Sequence, residues 1–196
     1  MRNLQVEILV EEPSMNFFLD GLLPKILPPG IVLYQNCFIR APEGKQDLQK
    51  QLPKKVRALS HLPKEVKVIV IQDQDSWDCV ILKKALKNLV ETNSKLPNLI
   101  RIACKELESW YLGDMEAIEK IYGKFKSERY RAWSKFRNPD LCNAFDEIRK
   151  IVPEFQKGSA AKEITQYLDI ANNKSNSFQN FVNGVKSFLA LPGQQQ

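Results

Sequence analysis

Short apolar runs alternate with segments of helical spacing through about residue 112. Four runs predict strands, at residues 4–12, 30–39, 66–72 and 98–104. The segments that follow each run predict helices, and Pro53 is expected to kink or split the second of these. The third run is continuously apolar, which is typical of a parallel sheet covered by helices on both faces. The alternation therefore predicts an α/β layer with a mostly parallel sheet.

The rest of the chain has helical spacing and no convincing strand. In the last helical segment, one face collects the apolar residues Phe178, Phe181, Val182, Val185, Phe188 and Leu189. Such a face is more typical of a core than of a groove for a partner. We therefore predict an α/β domain over residues 1–115 and an all-helical C-terminal region over residues 116–196 that packs on it.

Composition indicates a soluble globular protein. The chain has 196 residues, 43% hydrophobic and 27% charged, which suffices for one sizeable core. No secretory signal is apparent, and no run approaches the roughly 18 apolar residues that span a bilayer. The four cysteines form no C-x-x-C and there is one histidine, which argues against a zinc module. Scattered thiols without a signal favour a cytoplasmic location.

The net charge of +6 is concentrated in one segment. Residues 120–137 contain seven Lys or Arg and one Glu, with five aromatic residues interleaved. Cations that pair with phosphates beside aromatics that stack on bases are typical of nucleic-acid surfaces. A solvated helix face, with some aromatics in the core, is the simpler interpretation. The nucleic-acid hypothesis rests on six residues: Lys124, Lys126, Arg129, Arg131, Lys135 and Arg137.

Acidic residues follow three of the four predicted strands. Glu11 and Glu12 follow the first strand, Asp73 and Asp75 the third, and Glu106 and Glu108 the fourth. Ligands of open parallel sheets bind beyond the carboxyl ends of the strands, so these acids are expected to converge if the strands are adjacent. Carboxylates suit a hard divalent cation, and the pattern predicts a Mg²⁺ or Mn²⁺ site.

Each pair of acids also has a simpler interpretation. A D-x-D after a strand is often a polar turn or a helix cap, with Ser76 as a candidate cap, and Glu11 and Glu12 can favour a helix N-terminus through its dipole. Glu106 and Glu108 would point about 200° apart on a helix, so only one is expected to reach a shared site. The prediction of a metal site therefore depends on the coincidence of all three pairs.

These blocks resemble the Toprim pattern, which has a Glu after the first strand, a D-x-D after the third and a later acid. The chain more closely resembles an uncharacterised bacterial Toprim-like family, described as RloG-like, found beside ABC- or AAA-type ATPases in phage-defence loci. The resemblance covers nearly the whole chain and rests mainly on four blocks: ILVEEPSMNFFLDGLLP, VIVIQDQDSWDC, RIACKELESWYLGD and NNKSNSFQNFVNGV.

The resemblance implies a catalytic and metal-binding set of Glu11, Asp73, Asp75 and Glu108. Glu12 stands where many Toprim domains have Gly, Met15 where related nucleases often have an acid, and Lys105 where the family often has an acid. These departures put a second metal site in doubt. Further residues are expected to meet phosphate or the acids, unless they are loop residues or helix caps: Lys45, Gln46, Lys174 and Ser177. Glu12 and Glu106 belong to the same second tier.

The leading hypothesis is a Mg²⁺- or Mn²⁺-dependent Toprim-like nuclease that hydrolyses DNA or RNA. Because the sequence has no P-loop, any ATP hydrolysis would come from a separate ABC- or AAA-type ATPase. One alternative is a non-catalytic Toprim-like subunit that binds nucleic acid or regulates the ATPase. Another is phosphoryl chemistry on a nucleotide. No membrane partner is expected, and homo-oligomerisation is left open.

Overall fold

Four parallel strands form one sheet. The computed structural model describes residues 4–41 and 45–190. The strands are β1 (Leu4–Val10), β2 (Cys37–Arg40), β3 (Glu65–Asp73) and β4 (Asn98–Ala103), in the spatial order β2-β1-β3-β4. The predicted fold class, a parallel sheet flanked by helices, is confirmed.

Helices follow every strand and make up the C-terminal half. They are α1 (Pro13–Ile26), α2 (Lys45–Ser60), α3 (Cys79–Glu91), α4 (Glu108–Leu112), α5 (Met115–Ile121), α6 (Ser127–Arg131), α7 (Ala144–Ile151), α8 (Lys157–Ile164) and α9 (Asn176–Leu189). Between β4 and residue 190 the structure contains helices and turns but no strand, as predicted. Within the described ranges, no helix is both long enough and apolar enough to cross a membrane.

Several predicted boundaries are wrong. The run at 30–39 forms mostly turns, and only its end belongs to β2. Pro53 lies inside an unbroken α2, because a proline removes only one backbone hydrogen bond and the buried Leu52 and Val56 hold the helix on the sheet. The segment after β4 divides into α4 and α5, because the Asp114 side chain accepts a hydrogen bond from Ala117 N and so caps a new helix.

The two faces of the sheet have separate hydrophobic cores. On one face, α2 and α3 cover apolar residues of the strands, such as Val68 and Val70. On the other face, the core extends from Leu4 to Leu189 and includes α1 together with the C-terminal helices. The predicted boundary between residues 115 and 116 stays a prediction, but the helices on both sides of it share this second core.

Candidate active site

The central strands bring two of the predicted acids into contact. β1 and β3 are neighbours in the sheet, and their register pairs Val10 with Ile71, so both strands end at the same edge. Glu11, the first residue after β1, accepts a hydrogen bond on Oε2 from the backbone N–H of Asp73 at 3.0 Å. The strand order thus fixes the Glu11 carboxylate beside the end of β3.

Two carboxylates at this edge are buried. Asp73 ends β3 with 5% of its surface exposed, and Glu108 begins α4 with none exposed. Asp73 Oδ1 and both carboxylate oxygens of Glu108 lack a hydrogen-bond partner in the structure. A buried polar group without a partner is costly. We call Glu11, Glu12, Asp73 and Glu108 the acidic cluster.

Burial and mutual repulsion change the acidity of this cluster. Burial, followed by the charges of Glu108, Glu12 and Glu11, raises the pKa of Asp73 well above its usual value. Burial raises the pKa of Glu108 to about 7, although the Lys157 ammonium opposes the shift. The Glu108 carboxyl therefore gains or loses its proton near neutral pH.

Lys157 supplies a positive charge to the acidic cluster. It is the first residue of α8, and its Nζ lies 3.5 Å from Glu108 Oε2 and 3.8 Å from Glu12 Oε1. The ammonium also lies 5.2 Å from the ring centre of Phe145. Burial disfavours its charge, but the nearby carboxylates outweigh burial and the pKa of Lys157 is raised. Sequence reasoning missed this residue, because nothing in the chain distinguishes it among 29 Lys and Arg.

Tyr111 is a second residue that sequence reasoning missed. It lies three residues after Glu108 in α4, a spacing that places both on one helix face. Its buried hydroxyl has no hydrogen-bond partner in the structure. Burial, with Glu108 and Asp73 nearby, raises the pKa of Tyr111 well above its usual value. The E-x-x-Y spacing was the available signal.

The two aspartates of the D-x-D motif differ in burial, because Asp73 is buried and Asp75 is exposed. Asp75 adopts the left-handed conformation, with φ of +49°, and its N–H donates to Lys105 O at 2.8 Å. This turn carries Asp75 to the surface, where it lines a depression of about 310 Å³ with Lys105 and Glu106. The Glu106 carboxylate accepts a hydrogen bond from Phe145 N at 2.8 Å, at the start of α7. Asp75 and Glu106 thus lie at the rim of the site.

The cap of α3 is Asp78 rather than the predicted Ser76. Asp78 Oδ1 accepts hydrogen bonds from Val80 N at 2.9 Å and Ile81 N at 2.8 Å. The left-handed turn at Asp75 delays the start of the helix, so Ser76 precedes the capping position. Asp78 therefore has a structural role and is not part of the acidic cluster.

The acidic cluster has suitable donors for a divalent cation but does not form a closed cage. Carboxylate oxygens without hydrogen-bond partners, on Asp73 and Glu108, are the donors that Mg²⁺ and Mn²⁺ prefer. Within residues 4–41 and 48–190, no three Asp, Glu, His or Cys side chains are arranged to hold a metal ion as they stand. The donor chemistry of the acidic cluster thus fits a hard divalent cation.

Two other predicted residues lie away from the acidic cluster. Ser177 is buried, where its hydroxyl binds Asp140 Oδ1 at 3.0 Å and accepts a hydrogen bond from Trp110 Nε1 at 2.8 Å. Lys174 is exposed and lines a cavity of about 810 Å³ with Arg137. Ser177 therefore joins α4 and α9 rather than meeting the acids. The side chains of the predicted residues Lys45 and Gln46 lie outside the described part.

The basic segment is less available than its sequence indicates. Its aromatic residues Phe125, Tyr130 and Phe136 are buried in the core, and Trp133 is 39% exposed and stacks on Phe136. Three of the five aromatics therefore belong to the core, in line with the simpler interpretation, and are not available to stack on bases. Four predicted cations form ion pairs with acids of neighbouring segments: Lys124 with Glu154, Lys126 with Glu119, Arg131 with Glu116, and Lys135 with Glu147. Arg129 lies against the ring of Tyr130.

A basic groove leads to the rim of the site. A cavity of about 560 Å³ is lined by Lys105, Lys135 and Arg137, and it shares Lys105 and Asn143 with the depression at Asp75 and Glu106. We call the part lined by Lys105, Lys135 and Arg137 the basic groove. A negatively charged chain lying there would end at the carboxyl edge of the sheet.

The fold and this edge define an α/β protein with buried carboxylates beyond its central parallel strands. The chain belongs to the family described as a domain of unknown function, DUF4276, whose model matches residues 10–186. No curated protein sequence matches the chain.

Solved structures with the same fold come from OLD proteins. The C-terminal region of the Burkholderia pseudomallei OLD protein has a TM-score of 0.57 at 15% identity, covering 94% of this chain and 98% of that one. The C-terminal region of the Xanthomonas campestris pv. campestris OLD protein has a TM-score of 0.54 at 12% identity, covering 94% and 91%. At these identities, the similarity establishes the fold.

Proposed function

We propose that the protein is a divalent-cation-dependent phosphodiesterase of the Toprim-like type that cleaves DNA or RNA. The observation that carries this proposal is the pair of buried carboxylates at the edge of the sheet, Asp73 and Glu108, which have Lys157 as a nearby cation and leave Asp73 Oδ1 and Glu108 Oε1 without a hydrogen-bond partner in the structure. A fold shared with the C-terminal, Toprim-type regions of OLD proteins supports a nuclease-related function.

The residues have separate roles in the proposed reaction. Glu11, Asp73 and Glu108 would hold Mg²⁺ or Mn²⁺, with Asp75 at the rim, and the cation would polarise the phosphate and lower the pKa of water. Lys157 Nζ binds a phosphate oxygen and stabilises the negative charge that develops there. Glu108 and Glu12 hold this ammonium at the acidic cluster, so it would be available to a phosphate that binds there.

The basic groove supports a polymeric substrate. Its cations Lys105 and Arg137 line a cavity that adjoins the rim formed by Asp75 and Glu106, and Lys135 in the same lining is paired with Glu147. Cations in a row bind the phosphates of a nucleic-acid backbone and release its counterions. The groove, rather than the whole basic segment, is therefore the proposed binding surface.

Asp73→Asn tests the proposed cleavage. We expect the purified wild-type protein to cleave plasmid DNA, single-stranded DNA or RNA in Mg²⁺ or Mn²⁺, and EDTA to stop it. Asp73→Asn keeps the size of the side chain but removes its charge, so cleavage should fall about 100-fold or more. Glu91→Gln is the control, because Glu91 is exposed at the far end of α3 and pairs with Lys87. The proposal would be contradicted if the wild type and Asp73→Asn cleaved equally well. It would also be contradicted if the wild type cleaved nothing with either cation, even after an ABC- or AAA-type ATPase was added.

Arg137→Gln combined with Lys105→Gln tests the basic groove. Each lost phosphate contact should lower the salt dependence of single-strand binding by about 0.7 in the logarithmic slope and weaken the affinity. Fluorescence anisotropy of a labelled oligonucleotide at several salt concentrations measures both quantities. Lys87→Gln on α3 is the control, and equal slopes for the two variants would place binding elsewhere.

A second candidate function is a non-catalytic subunit that binds a separate ATPase. Three apolar side chains at the start of α3 favour it, because they are exposed beside the rim: Trp77 by 54%, Val80 by 74% and Ile81 by 62%. Ile81→Lys would then abolish co-purification with an ABC- or AAA-type ATPase but leave cleavage by the isolated protein unchanged. If the Ile81→Lys variant still co-purified with the ATPase, the exposed apolar residues at the start of α3 would not be the binding surface.

A further inference from the structure

Two cysteines lie together behind the rim of the site. Cys79 is the first residue of α3, and Cys104 directly follows β4. Their side chains are neighbours, and both line one cavity of about 330 Å³. Both are partly exposed, whereas Cys37 and Cys142 are buried. The chain therefore has one accessible pair of thiols and two buried thiols that serve as internal references.

The backbone holds this pair in place. Gln74 N donates to Ala103 O at 2.9 Å, and Asp75 N donates to Lys105 O at 2.8 Å. These bonds join the segment after β3 to the segment after β4, on both sides of Cys104. The start of α3 is fixed in turn by the Asp78 cap. The local fold therefore fixes the two backbone segments that carry these cysteines beside each other.

We propose that Cys79 and Cys104 are a modification site that reacts with small-molecule disulfides, such as glutathione disulfide, and closes to an intramolecular disulfide. This goes beyond the proposed phosphodiesterase function and does not depend on it. A disulfide requires a specific geometry, and two thiols that line one cavity on segments joined by backbone hydrogen bonds are suited to reach it.

The exchange takes place in two steps. The Cys79 thiolate attacks one sulfur of the small disulfide, forming a mixed disulfide and releasing one small thiolate. Cys104 then loses its proton to solvent or to the released thiolate, and its sulfur attacks Cys79 Sγ and releases the second small thiolate. Two protein thiols are oxidised, and one small disulfide is reduced to two thiols.

The surroundings assign the order of the two cysteines. Burial, with Cys79 and Asp140 nearby, raises the pKa of the Cys104 thiol to about 12, so Cys104 keeps its proton in the reduced protein. Cys79 begins α3, where the positive end of the helix dipole stabilises a negatively charged sulfur, and we therefore assign the first attack to Cys79. The bond that forms ties α3 to the segment that carries Lys105 and Glu106 at the rim.

Thiol counting on the full-length protein tests the proposal. The protein is incubated with glutathione disulfide, quenched with N-ethylmaleimide under denaturing conditions, and analysed by intact mass and peptide mapping. We expect two fewer alkylated cysteines than in the reduced protein and a linked peptide pair that contains Cys79 and Cys104. Cys37→Ser and Cys142→Ser should each leave this link unchanged, whereas Cys79→Ser should abolish it.

The Cys104→Ser variant tests the first step through a gain in mass rather than through the loss of the linked peptides. With the second sulfur removed, the first step should stop at a mixed disulfide, and the mass should rise by one glutathione at Cys79. Circular dichroism checks that this variant is folded. Three results would overturn the proposal: a wild-type protein that keeps all its thiols alkylatable, a wild type that stops at the mixed disulfide, or a link that joins two chains.

Discussion

At the residue scale, burial separates acids that look alike in the sequence. Asp73 and Glu108 are buried, whereas Asp75 reaches the surface through a left-handed turn only two residues after Asp73. Glu12 is partly exposed and shares Lys157 with Glu108. The two buried carboxylates therefore carry the unfavourable electrostatic free energy of the cluster, and a bound cation would relieve it.

Glu108→Gln is predicted to reduce the pH dependence of stability in EDTA. The folded state raises the pKa of Glu108 from 4.5 to about 7, so the native protein binds this proton more tightly than the unfolded chain. The resulting stabilisation is complete below about pH 4.5 and is lost as pH rises through about 7. The wild-type free energy of unfolding should therefore fall between pH 5 and pH 8, by about 2–3 kcal/mol from this group.

Urea unfolding at the two pH values measures this difference. The isosteric Glu108→Gln side chain cannot ionise, so its variant should lose less stability than the wild type over the same interval. Glu91→Gln should behave as the wild type, because Glu91 is exposed. An equal loss in wild type and Glu108→Gln would show that Glu108 does not titrate in this range.

The sequence predicted part of this site because ligands of parallel sheets bind at the carboxyl ends of the strands, and those ends can be found from the local pattern of residues. Glu11 directly follows β1 and Asp73 is the last residue of β3, so finding the strands was enough to expect both at one edge. Lys157 was not predictable, because it reaches the edge only through the packing of α8 on α1. The cap was wrongly predicted at Ser76 because the turn at Asp75 shifts the start of α3 to Cys79, and the left-handed conformation of Asp75 is not evident from the residue type.

At the element scale, a close contact between α1 and the end of α8 positions Lys157. A Cβ added to Gly21 would lie 2.0 Å from Thr165 Oγ1 and 2.9 Å from Thr165 Cβ, so the two helices approach closely here. Lys25 of α1 also donates a hydrogen bond to Thr165 O. Thr165 caps the C-terminus of α8, and Lys157 begins it. A shift at one end of this short helix therefore moves the ammonium at the other.

Gly21→Ala is predicted to destabilise the protein and to weaken any function of Lys157. Rotating the Thr165 side chain cannot relieve the clash, because its Cβ is also too close, so α8 must move. Overpacking of this kind costs about 1–3 kcal/mol, more than the gain in helix propensity from Gly to Ala. Thermal and urea unfolding measure the stability, and cleavage measures the effect on the site.

Gly158→Ala is the matched control within α8. Its added Cβ would meet Phe17 at 3.9 Å, an ordinary contact, so the variant should be as stable as the wild type or more so. If both alanine variants had the same stability and activity, the close approach at Gly21 would not set the position of α8.

The misjudged elements share a physical cause, since long-range packing overrides the local pattern. The apolar run at 30–39 contains Gly30 and Tyr34, whose φ values of +88° and +62° belong to turns. A Cβ on Gly113, between α4 and α5, would lie 2.1 Å from Asn173 Oδ1, so a distant segment approaches the chain where the predicted helix breaks. The type of each long element was predictable, whereas these interruptions depend on contacts distant in the sequence.

At the scale of the whole molecule, the site is assembled from both parts of the chain. The acidic cluster comes from the strand ends and α4, but its cation, Lys157, comes from α8. Asp140 and Ser177 hold α9 against Trp110 of α4 through buried hydrogen bonds. The C-terminal helices therefore do more than cover the sheet, because they complete the electrostatics of the edge.

A fragment of residues 1–115 is predicted not to fold alone. One face of the sheet shares its core with C-terminal residues such as Phe155, Phe178 and Phe181, so removing α5–α9 would expose that face and much of α1. At about 25 cal/mol per Å², each 400 Å² or so of apolar surface exposed removes about 10 kcal/mol, which is comparable to the 5–15 kcal/mol by which domains are normally stable. The fragment should therefore lack the near-ultraviolet circular dichroism of the full chain, and the full chain should unfold in one transition that is the same by fluorescence and circular dichroism. Two separate transitions, or a fragment that unfolds cooperatively, would instead establish residues 1–115 as an independent domain and leave the C-terminal helices as an addition that supplies Lys157.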